Sequence, residues 1–399
     1  MKILHLIPSV DPRSGGTAEG LLRVHMALEA MGHRSEVLSL DPPDALHLQA
    51  FPGQVHALGP VRGTYGYTSA LVPWLKQHSP QYDAVIVNGL WQYVGLAAWR
   101  VLRRAAPGYY VYSHGMLDPW FKRRYPLKHL KKWLYWPWGE YRVLRDAKAV
   151  LFTCDEERRM ARQSFWLYRC REATSSYGTS EPPHDVDGRL SNTFLTAWPQ
   201  LRGKRLVLFL GRIHEKKGCD LLIEAFAKVC ARAPDVHLVM AGPDHDGWTT
   251  QLQQRAAQLG LTDRICWTGM LSGDLKWGAF HASEVFCLPS HQENFGVAVA
   301  EALACGRPVL ISDKVNIWRE IDADAAGWVE PDTLDGTVRL LTRWLDAPLA
   351  QGAERQAAAR RCFDRRFRIE TVAANLVRII GGSPPVAPDG HTASKGSHA

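Results

Sequence analysis

Leu206-Val-Leu-Phe-Leu-Gly-Arg-Ile-His-Glu-Lys-Lys-Gly-Cys-Asp220 reads as a buried strand, a polar loop and the start of a helix. The apolar run bounded by Gly211 fits a strand covered on both faces, and Gly218 closes the loop before a helix over 219–231. The same change of period recurs along the chain. Strand-like runs fall at 2–8, 33–40, 83–88 and 109–113, then at 205–210, 237–241, 264–268, 285–288 and 308–312. Helical spacing marks 18–31, 249–259, 296–304 and 334–345. Such alternation predicts parallel sheets with helices on both faces. It occurs twice, on either side of a polar stretch carrying Gly and Pro, so two doubly wound α/β domains are expected. No internal sequence repeat accompanies them.

Composition agrees with two domains. The chain has 399 residues, 46% hydrophobic and 22% charged, which excludes disordered and collagen-like classes and leaves each half able to bury a core. The net charge of +8 is unevenly spread: 23 Lys/Arg face 14 Asp/Glu through Tyr177, against 25 and 26 in the remainder. The basic half is therefore expected to meet an anionic partner. None of the 8 cysteines forms a C-x-x-C pair, so buried free thiols in a reducing cytoplasm are expected. Met1-Lys-Ile-Leu-His-Leu-Ile-Pro8 is too short and too polar for a signal peptide, and no apolar run approaches the ~18 residues of a membrane span. The expected place is the cytoplasm, with attachment to the inner face of the membrane as a peripheral protein.

In open α/β sheets ligands bind beyond the carboxyl ends of the strands, so the loops there carry the chemistry, and two domains facing one another would enclose a deep cleft. The richest loop lies in Leu288-Pro-Ser-His-Gln-Glu-Asn-Phe-Gly-Val-Ala-Val-Ala-Glu-Ala-Leu-Ala-Cys-Gly-Arg-Pro-Val309. A helix opens near Asn294–Gly296, and its free N–H groups and dipole make an anion site that Gly296 lets a phosphate approach. Glu293 just before this helix is either a carboxylate favoured by the dipole or an acceptor for sugar hydroxyls. Glu301 within it is either a solvated helix residue or a second such acceptor. In the 206–220 stretch, Arg212 and Lys217 offer a fork and a point charge that suit a diphosphate without a metal ion; a solvated basic turn is the plainer reading.

Two loops of the first half are weaker. Pro8-Ser-Val-Asp-Pro-Arg-Ser-Gly-Gly-Thr-Ala-Glu19 places Gly15 and Gly16 at a strand-to-helix turn, but matches neither the G-x-G-x-x-G fingerprint nor a P-loop. Val111-Tyr-Ser-His-Gly-Met-Leu-Asp-Pro-Trp120 sets His114 near Asp118, where it either serves structure or hydrogen-bonds a substrate hydroxyl. No second His or carboxylate stands at metal-ligand spacing.

Taken together these loops resemble the retaining glycosyltransferases of family 4, which have the GT-B fold, over about 1–378. The family's Glu-x-Phe-Gly with a later Glu matches Glu293-Asn-Phe-Gly-Val-Ala-Val-Ala-Glu301. Its Gly-Arg…Lys-Gly matches Gly211-Arg212 and Lys217-Gly218, and its Gly-Gly loop matches Gly15-Gly16. His114-Gly-Met-Leu-Asp-Pro-Trp120 is similar to the subset acting in exopolysaccharide, O-antigen or capsule assembly. The resemblance implies two Rossmann-like domains: an acceptor domain over 1–177, a linker over 178–202 and a donor domain over 203–359. A helix over 360–380 would cross back to the first domain, with a disordered tail over 381–399. It further implies that Arg212 and Lys217, with backbone N–H groups around Gly211, Asn294, Phe295 and Gly296, hold the diphosphate of a nucleotide-sugar. Glu293 would bind sugar hydroxyls, Glu301 the ribose, and Met270 and Leu271 the base. His114 would lie near the reacting carbon, and Gly15 and Gly16 on the side of a glycan or polyprenyl-linked acceptor. No cofactor or metal is implied, and no nucleic acid; an inactive sugar-nucleotide binder, an epimerase and a nucleic-acid binder are the alternatives.

One segment is left over. Residues 121–138 hold six Lys/Arg and no acid, with Leu127, Leu130 and Leu134 at helical spacing and Trp133, Tyr135, Trp136 and Trp138 beside them. Such a helix either packs its Leu/Trp face on the core or lies on anionic lipid, and the two are compatible.

Overall fold

The computed structural model describes residues 1–14, 16–244 and 247–382; Gly15 and the tail beyond 382 lie outside the described residues. The chain forms two compact units, the first made of 1–153, 158–177 and the chain from Arg368, the second of 154–157 and 178–367. The first contains β1 (Lys2–Ile7), β2 (Arg34–Ser39), β3 (Val55–Ala57), β4 (Ala84–Asn88), β5 (Tyr110–Tyr112), β6 (Val150–Phe152) and β7 (Glu172–Thr174). They form one parallel sheet in the order β3-β2-β1-β4-β5-β6-β7. The second contains β8 (Arg205–Leu210), β9 (Val236–Ala241), β10 (Ile265–Gly269), β11 (Val285–Leu288), β12 (Val309–Ser312) and β13 (Gly327–Glu330), parallel in the order β10-β9-β8-β11-β12-β13.

The central strands are apolar without alternation because both faces are covered. Along β4, Val85 and Val87 join a core with the helices Tyr93–Leu102 and Glu140–Asp146, whereas Ala84 and Ile86 face a second core. That second core is closed by the helix Gly16–Ala30 and by Val372, Ala373 and Leu376 of the helix Ile369–Ile380. β3, β6, β7 and β13 are not among the strands expected from the sequence.

Two expected boundaries need correction. The stretch 178–202 is no linker: it contains the helix Arg189–Ala197, whose Leu190 and Phe194 are buried. That helix packs on Gly273–Ala282, and a Cβ at Gly278 would stand 2.2 Å from the Leu190 carbonyl oxygen. The expected helix over 360–380 is also broken. Leu349–Cys362 ends in a π-helical turn, Phe363–Phe367, and Arg368 is extended before Ile369–Ile380 begins. Phe363 and Phe367 are buried within the second unit, and Arg366 pairs with Asp324 at 2.8 Å, so the chain changes unit at Arg368.

Gly-to-Ala exchange within a helix normally stabilises by about 0.5–1 kcal/mol. Gly278→Ala is expected to do the opposite and destabilise by roughly 1–3 kcal/mol, because the two helices must part. Urea unfolding checks this, and a gain in stability would mean that 189–197 is not an integral layer.

Candidate active site

The strand order reverses between β8 and β11, and there the loops after both strands meet. Their meeting is tight. Gly218 has φ +66°, and a Cβ there would lie 2.2 Å from the Pro289 carbonyl oxygen. The Lys216 carbonyl accepts from the His291 N–H and the Ser290 hydroxyl, both at 2.8 Å. Beyond β12, Glu293 N–H donates to the Lys314 carbonyl at 2.9 Å and the Glu293 carbonyl accepts from Asn316 N–H at 3.0 Å. The Ser312 hydroxyl donates to the Ser290 carbonyl. Three strand-end loops are thus stitched together by backbone groups and by the hydroxyls of Ser290 and Ser312.

Lys217 donates to the Glu293 carboxylate, and each side chain is only 17% exposed. Burial pushes the Glu293 carboxyl up, but Lys217, with Lys216 and Arg212, more than offsets it and holds the group below its usual range. Arg212 is exposed close by. Gly296, with φ +79°, turns the chain into the helix Val297–Ala304, and a Cβ there would lie 3.3 Å from the Glu293 side chain. The first N–H groups of that helix have no carbonyl partner within it, so they add fixed positive partial charge beside Glu293. Phe295 is buried against Phe367, ring centroids 5.5 Å apart, which anchors the turn.

Glu301 is buried, not a solvated helix residue, and accepts from Lys276 Nζ at 2.7 Å. Lys276, on the helix Gly273–Ala282, was not singled out in the sequence; its partner is 25 residues away and only the tertiary fold joins them. Of the residues expected beneath a base, Met270 is exposed, whereas Leu271 is buried and offers its backbone rather than its side chain.

In the first unit His114 follows β5 with φ 47°. It stacks on Tyr112 at 4.6 Å, and its Nε2 lies 3.3 Å from Asn88 Oδ1. The Asn88 amide nitrogen faces the Leu6 and Ile86 carbonyls at 3.4 Å, so Oδ1 is the acceptor and His114 donates from Nε2. Burial lowers the His114 pKa to about 4, so the ring is neutral at pH 7, a hydrogen-bonding group rather than a source of charge. Trp91, with φ 71°, follows β4 at the same strand ends and carries no sequence signal beyond its place in a loop. Gly16 opens the helix Gly16–Ala30, and a Cβ there would meet nothing within 4 Å. Among the described residues no cluster of His, Cys, Asp or Glu stands ready for a metal.

Comparison with known proteins bears on this geometry. Residues 196–361 match the model for glycosyl transferases group 1, and 15–169 match that for a glycosyl transferase 4-like domain. The chain belongs to the group 1 glycosyltransferases, of family 4 and the GT-B fold. It is 30% identical over 210 residues to an alpha-D-kanosaminyltransferase of Streptomyces kanamyceticus, covering 51% of this chain and 54% of that one. It is 33% identical over 201 residues to a phosphatidyl-myo-inositol mannosyltransferase of Mycobacterium tuberculosis, covering 49% and 51%. The chain thus spans about half the length of these curated relatives. In fold it is similar to HepE of Anabaena in complex with UDP and glucose: TM-score 0.72, 19% identity, covering 96% of this chain and 100% of that one. WaaG, a glycosyltransferase of lipopolysaccharide biosynthesis, gives a TM-score of 0.65 at 16% identity, covering 96% and 100%.

In this chain the Lys217–Glu293 pair has a titration signature. Glu293, held below its usual range, contributes stability at neutral pH that is lost as pH falls through its folded pKa. Lys217→Met leaves only Lys216 and Arg212 against burial, so the carboxylate then costs stability at neutral pH and recovers on protonation. The expected loss is roughly 1–3 kcal/mol at pH 7, less than for a fully enclosed pair, and smaller at about pH 4. Urea unfolding of both proteins at the two pH values checks the sign.

Proposed function

We propose that this glycosyltransferase moves a hexose from a UDP- or GDP-linked sugar to a hydroxyl of a glycan or polyprenyl-linked acceptor. The anomeric configuration is retained, no divalent metal is required, and the product enters cell-surface polysaccharide. The observation that carries the reading is the group formed by Arg212, Lys217, Glu293 and the helix start at Gly296: cations and amides for a diphosphate beside a carboxylate for hydroxyls. The UDP and glucose held by HepE, and the biosynthetic role of WaaG, are of the same kind.

Cleaving the anomeric C–O bond leaves negative charge on the diphosphate and positive charge on the sugar ring. Arg212, Lys217 and the helix N–H groups stabilise the first where it develops. The acceptor hydroxyl attacks from the leaving-group face and gives its proton to a donor phosphate oxygen. Glu293 orients sugar hydroxyls and forms no covalent bond; the paired Glu301 and Lys276 hold the ribose. His114, neutral, hydrogen-bonds the sugar, and the open space at Gly16 receives the acceptor. The segment 121–138 rests on anionic membrane, a reading supported by the exposure of Leu127, Leu130 and Leu134.

Donor hydrolysis and transfer, followed by proton NMR of the product anomer with and without EDTA, test the proposal. A retained anomer and an unchanged rate in EDTA are expected; an inverted anomer overturns the mechanism. Arg212→Ala and Lys217→Ala are each expected to lower kcat by about 10²–10³. Gly16→Ala is expected to keep or raise the melting temperature, as helical Ala does, while raising the KM for acceptor and not for donor.

A further inference from the structure

The helix Pro126–Tyr135 of the first unit presents two faces with different surroundings. Leu127, Leu130 and Leu134 are 82%, 54% and 62% exposed, so of the two readings of this segment the leucines do not follow packing on the core. The patch widens through Trp133, which lies 6.1 Å from Trp166 between ring centroids, and Leu167 is exposed beside Trp166 in the chain. About 150° around the helix from the leucine row stand Lys128 and Lys132, one turn apart, with His129 and then Trp133 between the two rows. These three line a cavity of about 70 Å³ together with Met116, Asp118, Phe121 and Tyr125, space for several waters or one phosphate group.

The cations here are held by aromatic faces. Lys132 Nζ sits 4.6 Å from the Trp91 ring centroid and 5.8 Å from that of Phe121, and Lys128 Nζ sits 5.0 Å from Tyr125. His129 stacks on Phe165 at 4.7 Å. Among the described residues neither lysine forms an ion pair. Burial lowers the Lys132 pKa, with Glu140 opposing and Lys128 adding to the fall, and burial with Lys122 and Lys132 lowers that of His129. Glu140 offsets the group only in part at pH 7, because burial pushes its own pKa up to about 7. Asp118 accepts from Trp120 N–H at 2.8 Å. The Asp118 carboxylate lines the same cavity and Glu140 acts on Lys132, so the two lysines are opposed only in part, and lysines bind phosphate as point charges.

We propose that this cavity is a phosphate seat for a lipid-linked phosphate or diphosphate, its head group held by Lys128, Lys132 and the His129 ring while its hydrocarbon lies along Leu127, Leu130, Leu134 and Trp166. Cations and leucines joined around the helix by His129 and Trp133 suit the two ends of one amphiphile, which neither an anion alone nor a bilayer of neutral lipid provides. The inference deepens the acceptor side of the proposed function and rests on it only for the identity of the lipid as acceptor.

Binding of farnesyl diphosphate, inorganic pyrophosphate and farnesol is measured by calorimetry on the wild type and on Lys128→Gln/Lys132→Gln. The variant serves as the blank, because the second unit's anion group is untouched in it. The expected result is farnesyl diphosphate binding at least tenfold tighter than either other probe and weakened at least tenfold in the variant. Leu127→Ser/Leu130→Ser is expected to bring farnesyl diphosphate down to the level of pyrophosphate. Equal affinity for pyrophosphate means a soluble anion, equal affinity for farnesol means apolar contact alone, and no change in the variant places the site elsewhere; each overturns the proposal. A thermal shift with UDP and GDP on the same two lysine forms keeps the readings apart. A normal nucleotide response with no lipid phosphate binding defeats the seat alone, whereas lipid phosphate binding without any nucleotide response defeats the transferase mechanism alone.

Discussion

The approach of Gly218 to Pro289 sets the geometry on which the second unit's chemistry depends. Any side chain at 218 would meet a backbone carbonyl at 2.2 Å, so the loop after β8 lies against the loop after β11 only because that position has none. From the contact follow the hydrogen bonds of the Lys216 carbonyl to Ser290 and His291, and from those the placement of Lys217 beside Glu293. A lysine and a glutamate 76 residues apart in sequence therefore share one site through backbone packing rather than through their own attraction. An ion pair this enclosed is seldom a strong source of stability, since desolvation opposes it. Its value is a fixed charge arrangement: a cation ready for an anionic ligand and a carboxylate kept ionised among cations.

That arrangement also explains the contrast with the first unit. Its sheet has the same strand order around β1 and β4, yet the residues just after β4 and β5 are aromatic or neutral: His114 on Tyr112, with Trp91 close behind β4 in the chain. A neutral imidazole donating to Asn88 stays in one protonation state across the physiological range. The loops after β8 and β11 supply charge, and those after β4 and β5 supply shape and hydrogen bonds, on nearly the same scaffold. Fold alone would not have told them apart.

Central strands were legible because they are buried on both faces and therefore continuous in apolar residues: β8 and β11 could be bounded to the residue from the sequence. Short outer strands such as β3 and β7 were not, nor was the helix Arg189–Ala197, whose Gly/Pro-flanked polar surroundings read as a linker. Loop residues followed the same division. Arg212, Lys217 and Glu293 carry their signal locally, in glycines that turn the chain next to charge. Lys276 gives none, because a lysine on a helix is ordinary until the fold sets a buried Glu301 against it.

The basic aromatic segment shows where sequence pattern stops being sufficient. Leucines at 127, 130 and 134 fit a core-facing helix as well as a membrane-facing one, and the periodicity is identical in the two cases. What separates them is which aromatic residue fills the core. Trp136, one position beyond the helix, is fully buried and stacks on Phe165 at 4.4 Å, with its indole N–H donating to the Trp166 carbonyl at 2.9 Å. With that anchor occupying the interior, the leucine face has no interior left to enter. The helix is fixed at its end by one tryptophan, and its apolar row is turned outward as a consequence, beside lysines that the same anchor tips over the cavity.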